Sequence, residues 1–263
     1  MSDVPRQKVV VDTPGWRKVK PRIPDTPQRR QLENQRRVRE IVFGAQDGIL
    51  TTLGIVTGIG VTSGRLAVIV SGLVALVAGA LSMGVGEYQG GKAEREVVQA
   101  TIEMERREMA ESPGDEFAEQ VAYYKLKGFS AEEAHMIVSR LTKNPEIYLY
   151  EMMRDEFGID PRIAESSSVL PALAMALSYA AGSVIPIVPY LFGLLSRIDA
   201  VIASVALALI GLFTIGFYAG SLGGRNTWLR GLEIALYGSI VFGLSYAAGR
   251  YIPPLFHMPA TGF

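Results

Sequence analysis

Glu105 and Glu108 stand three residues apart, as do Glu116 and Glu119, and Met152, Met153 and Glu156 cluster within five positions. On helices, three- and four-residue spacings place side chains on one face. If the faces converge, several carboxylates and a thioether surround a small volume, an arrangement that is repulsive without cations. Mg²⁺ and Ca²⁺ take oxygen donors, whereas carboxylate combined with thioether suits a borderline transition metal such as Fe²⁺, Mn²⁺, Co²⁺ or Zn²⁺. A plainer reading stands beside this one: acidic helices commonly present a solvated face, here with Arg106 and Arg107 as neighbours.

A second set lies in apolar surroundings. Asp47 interrupts "FGAQDGILTTLGIV", and Met83 and Glu87 are four residues apart in "AGALSMGVGEY". A carboxylate inside a membrane span is costly unless it faces a partner or water, and such residues mark ion pathways. Met83 alone reads equally as apolar filler, and Glu87 as a boundary residue. A third pattern, Glu132 with His135, has the Glu-x-x-His form that ferritin-like di-iron bundles use twice. The only other histidine is His257, so a full site of that kind is not expected.

Apolar runs must carry the second set. The chain has 263 residues, 49% of them hydrophobic and 20% charged. The two kinds segregate into five windows of spanning length, about 41–62, 66–88, 168–190, 198–222 and 231–251. The expectation is an all-α polytopic membrane protein. There is no cysteine, which excludes disulfides and thiolate metal sites.

Residues 1–40 carry 11 Lys/Arg against 5 Asp/Glu, with Arg29, Arg30, Arg36, Arg37 and Arg39 just before the first span. Positive charge favours the cytoplasmic side, so the N-terminus, the segment between spans two and three, and the "GGRNTWLRG" loop with Arg225 and Arg230 are expected there. The proline-containing leader lacks a cleavable secretory signal and is expected to be disordered.

Segment 92–165 runs against the charge bias, with 17 Asp/Glu and 10 Lys/Arg. Helix formers fill "KAEREVVQATIEMERREMAES", and Asp115 can cap the next helix after Ser112-Pro113-Gly114. Ser130 and Glu133 have capping-box spacing, and Asn144-Pro145 opens a helix reaching towards Gly158. Gly90-Gly91 allows the second span either to bend or to run straight on, and Pro186 and Pro189 predict a kink or end in the third span. Gly54/Gly58 and Gly216/Gly220 have the spacing of close helix approaches. The division expected is a leader (1–38), two spans (39–91), an acidic helical domain (92–165), three spans (166–252) and a tail (253–263).

"DGILTTLGIVTG" and "AGALSMGVGEY", with "ERREMAESPGDEFAEQ" and "YEMMRDEFGID" between spans two and three, together resemble the vacuolar iron transporters of plants and yeast and their bacterial relatives. The likeness covers about residues 36–252; "QGGKAERE" departs from the family's Ser-rich turn. The resemblance implies a homodimer of five-span subunits, in the bacterial inner or vacuolar membrane, that exports Fe²⁺ from the cytosol in exchange for protons. By position it implies that Asp47 and Met83 line the route at the dimer interface, with Glu87 also on the pathway. It likewise assigns Glu105, Glu108, Glu116, Glu119, Met152, Met153 and Glu156 to a cytoplasmic metal site. A secondary transporter is expected, with metal ions, protons and lipid as partners and neither a prosthetic group nor nucleic acid. Two alternatives stay open: a Mn²⁺ or broad divalent-ion transporter, and a membrane-anchored metal-buffering or sensing protein that conducts nothing.

Overall fold

A computed structural model describes residues 27–60, 62–223 and 226–255, with side chains described between 38 and 252 apart from 61, 224 and 225. The leader to residue 26, the side chains of Arg29, Arg30, Arg36 and Arg37, Arg225, and the tail with His257 lie outside them. The helices are α1 (Pro27–Gly60), α2 (Arg65–Glu111), α3 (Pro113–Leu126), α4 (Ala131–Leu141), α5 (Pro145–Glu156), a 3-10 turn (Pro161–Glu165), α6 (Val169–Leu191), α7 (Arg197–Leu222) and α8 (Thr227–Leu255). No strand occurs among the described residues. Among the described residues, five helices are long and apolar enough to cross a bilayer: α1, α2, α6, α7 and α8.

Helix α1 begins at Pro27, inside the stretch read from sequence as leader. Pro is tolerated at a first helical turn, and the Gln, Arg, Leu and Glu that follow are good helix formers. Helix α2 is 47 residues long and unbroken at Gly90-Gly91. At about 1.5 Å per residue it exceeds the ~30 Å hydrocarbon core more than twofold, so its acidic C-terminal half extends beyond the lipid.

The described residues divide into two compact units, 27–89 with 168–255, and 90–167. In the first, Ile49, Leu53, Ala208, Leu212 and Ile234 form one buried cluster. Val56, Val68, Ile187, Tyr190 and Ala200 form another. Helices α1 and α6 approach closely because glycines remove the intervening side chains: a Cβ on Gly182 would overlap the Ala45 carbonyl, and one on Gly48 the Tyr179 carbonyl. The Ser183 hydroxyl donates to Gly48 O at 3.3 Å. Gly216 and Gly220 of α7 lie against Arg230 and Thr227 of α8, while Gly54 and Gly58 of α1 face Ser245 of α8, so both glycine pairs serve contacts within the chain.

The prolines of α6 do not end it. Pro186 and Pro189 sit inside the helix, which continues to Leu191, and the Ser204 hydroxyl donates to Pro186 O at 2.7 Å where the ladder is weakest. At the helix end Arg65 donates from Nε and Nη2 to the carbonyls of Tyr190 and Leu191, both at 2.5 Å. A cation on the last carbonyls is favourable there.

The second unit, the acidic module, packs Val121, Ala134, Val138, Tyr148 and Met152 in one cluster and Val98, Leu149 and Met153 in another. Met109 touches both. Ser130 and Glu133 form the capping box of α4, and the Asn144 side chain caps α5. Asp115 does not cap α3: Pro113 has already entered the helix behind Ser112, and Asp115 falls in its first turn. A residue with φ held near −65° and no N–H is suited to that first position, which moves the cap three residues earlier, from Asp115 to Ser112.

Candidate metal centre

Helices α2, α3 and α5 bring the module's carboxylates into one neighbourhood. Glu105 on α2 is fully buried and Glu116 on α3 nearly so; Glu108 and Glu119 are exposed and Glu156 is half-buried. Burial first, and then the charges of Glu156, Glu116, Glu108 and Glu119, push the Glu105 carboxyl up to about 7. Glu116 is also pushed up to about 7, by burial and then by Glu108, Glu119 and Glu156. The Glu156 carboxyl is raised as well, by burial and by Glu119 and Glu108. Glu105, Glu116 and Glu156, one on each of three helices, are thus held back from ionising by burial and by the carboxylates around them, the condition that convergence of the faces requires.

Basic neighbours do not relieve it. Among the described residues, no Lys, Arg or His pairs with any of the five, and Arg106 instead pairs with Glu146 at 3.1 Å. Both oxygens of Glu105 are buried without a hydrogen-bond partner. A carboxylate left so costs several kcal/mol if ionised, so it must hold a proton or meet a cation. The side chains are not closed into a cage: among the described residues, no three His, Asp or Glu groups are drawn tightly enough to grip an ion as they stand.

Met152 and Met153 are buried in the module's two apolar clusters. Met152 shares its helical face with Glu156. The Glu132/His135 pattern lies away from the centre: both are exposed, and His135 packs its ring on Phe117 at 5.4 Å.

Spacing overlooked three residues here. Gln120 is buried and donates from Nε2 to Asp155 Oδ2 at 2.7 Å, and Lys127 reaches the same oxygen at 2.5 Å. Tyr148 is buried with an unpartnered hydroxyl. The signal was available: Gln120 follows Glu116 by four, and Tyr148, Met152 and Glu156 form an i, i+4, i+8 row.

In the membrane unit, Asp47 on α1 and Met83 and Glu87 on α2 are half-buried. No hydrogen bond or ion pair between described residues engages them or brings the three together. Beside Asp47 the backbone is pressed against α6 through Gly44 and Gly48.

A family model described as the VIT family matches residues 38–250. Vacuolar iron transporter 1 of Arabidopsis thaliana is 31% identical over 219 residues, covering 82% of this chain and 86% of the relative. Vacuolar iron transporter 1 of Oryza sativa subsp. japonica is 30% identical over 219 residues, covering 82% and 85%. The vacuolar iron transporter of Toxoplasma gondii is 30% identical over 223 residues, covering 82% of this chain and 74% of the relative.

Proposed function

The chain belongs to the VIT family, and from that premise we propose that it exports Fe²⁺ from the cytosol by exchange for protons. Its relatives' names support a membrane metal-ion transporter, not an enzyme. The finer reading has two stations. The acidic module, on the cytoplasmic side with the N-terminus, collects the ion on Glu105, Glu108, Glu116, Glu119 and Glu156. Asp47 and Met83, with Glu87 at the boundary, then carry it through the membrane in a homodimer.

One observation carries the capture step: Glu105 is buried with both oxygens unpartnered among four other carboxylates, with no described basic side chain to neutralise them. Clustered carboxylates raise the local cation concentration and must lose protons to bind it. Asp47 supplies exchange in the membrane by the same logic, since one carboxylate holds either metal or proton.

Fe²⁺ flux into proteoliposomes, with a pH dye in the lumen, tests the scheme. Asp47→Ala is expected to abolish flux and spare metal binding. Substitution of Glu105, Glu108, Glu116 and Glu119 by Gln is expected to lower binding strongly. Protein that binds Fe²⁺ but neither moves it nor exchanges protons is not an antiporter, and the buffering or sensing reading then stands. Met152 and Met153 belong to the same proposed site, and a second reading, Mn²⁺ or broad divalent transport, stands because both ions accept this ligand set. Anaerobic competition between Fe²⁺ and Mn²⁺ decides between them.

A further inference from the structure

Among the described residues of the module, three fully buried side-chain oxygens have no hydrogen-bond partner: the two of Glu105 and the hydroxyl of Tyr148. Two are acceptors and one is a donor. Tyr148 is 4% exposed and its ring packs in the apolar cluster with Val121, Ala134, Val138 and Met152. Phe117 and Val121 of that cluster stand next to Glu116 and Gln120 on α3, and Tyr148 shares its face of α5 with Met152 and Glu156, which sets the Tyr148 ring beside the carboxylates. A buried phenol with nothing to bond bears the full desolvation penalty of its hydroxyl. Phe in its place would keep the packing and remove the cost.

The donor and the acceptors are therefore complementary in chemistry and unjoined. A carboxylate that gives one oxygen to a metal keeps lone pairs on the other, and outer donors that engage them orient the ligand and hold its charge. Glu105 is the member of the centre whose oxygens are both out of reach of water, and Glu116 beside it is 8% exposed. Gln120 is already committed to Asp155, which leaves Tyr148 as the unpartnered buried donor.

We propose that Tyr148 is a positioning residue of the module's metal centre, whose hydroxyl donates to the oxygen of Glu116 or Glu105 that is turned away from a bound divalent cation. The inference rests on the capture reading above. It assigns the stranded hydroxyl a role that appears only when the centre is loaded.

The test uses full-length protein in detergent, titrated anaerobically with Fe²⁺ by calorimetry and melted in chelator, for wild type, Tyr148→Phe, Tyr150→Phe and the double variant Glu105→Gln/Glu116→Gln. Tyr150 is a matched control on another face of α5, its ring near the guanidinium groups of Arg154 and Arg162. Tyr148→Phe is expected to weaken Fe²⁺ binding about tenfold, while its metal-free melting temperature stays level or rises. Tyr150→Phe is expected to leave the affinity unchanged. Affinity of Tyr148→Phe within twofold of wild type overturns the proposal, as does a fall in its metal-free melting temperature that parallels the lost affinity. Wild-type binding unchanged by the double variant overturns the capture reading itself, and this inference with it.

Discussion

Glu105 is the residue on which the chemistry turns, because burial and four like charges act on it in the same direction. The folded chain holds the protons of Glu105 and Glu116 more tightly than the unfolded chain does. Both are raised from 4.5 to about 7, so the metal-free protein loses stability as pH rises through that window. Metal binding has the opposite slope, since the ligands must be deprotonated, and affinity rises over the same range. Thermal melts between about pH 5 and 8 are therefore expected to fall in chelator and to flatten or invert with saturating Mn²⁺; a flat chelator series contradicts this. Glu105→Gln should stabilise the metal-free protein at pH 8 by roughly 1–3 kcal/mol and weaken binding. Spacing in the sequence placed Glu105 on a face with Glu108. That one is sealed and the other exposed depends on what covers the face, which spacing does not state.

Among the elements, helices and their caps were the most legible, because propensity, capping and apolar period act locally. Ser130 with Glu133 and Asn144 with Pro145 mark helix starts that the structure contains, with Ser130 N donating to Glu133 Oε2 at 2.9 Å. Ser130→Ala is expected to cost about 1 kcal/mol, read from denaturation of the module. The close contact of α1 with α6 gives a stronger contrast. Gly182→Ala would drive a methyl into the Ala45 carbonyl, which as backbone in a packed helix cannot move aside. A loss of about 1–3 kcal/mol, with lower yield of folded protein, is expected, whereas Gly243→Ala, with open space around it, should leave melting unchanged. Equal behaviour of the two would contradict the packing assigned here. The prolines of α6 predict a kink or an end near the far end of the span; the helix runs through both and ends at Leu191, two residues after Pro189, with Ser204 of α7 bonding beside them.

At the scale of the whole molecule, the apolar part of α2 buries far less within the chain than α1 or α6 does, and Val70, Val74, Val77, Leu81 and Val85 are exposed. Lipid or a second copy must cover that surface. The absence of cysteine gives a clean test of the proposed homodimer: Met83→Cys should crosslink between subunits in membranes, and Leu177→Cys, on α6, should not. Equal yields would remove Met83 from a dimer axis. By itself the sequence determined the membrane class, five apolar helices, an acidic helical segment between the second and third, and the residue types able to hold a divalent cation. These follow from composition, period and capping, which are properties of neighbours along the chain. Only the tertiary structure decided that Glu105 is sealed and Glu116 nearly so, that no described basic side chain relieves them, that Met152 and Met153 pack in apolar clusters, and that the Tyr148 hydroxyl is buried without a partner. Desolvation and charge coupling depend on what other helices bring to a face, and that is fixed only when the helices pack.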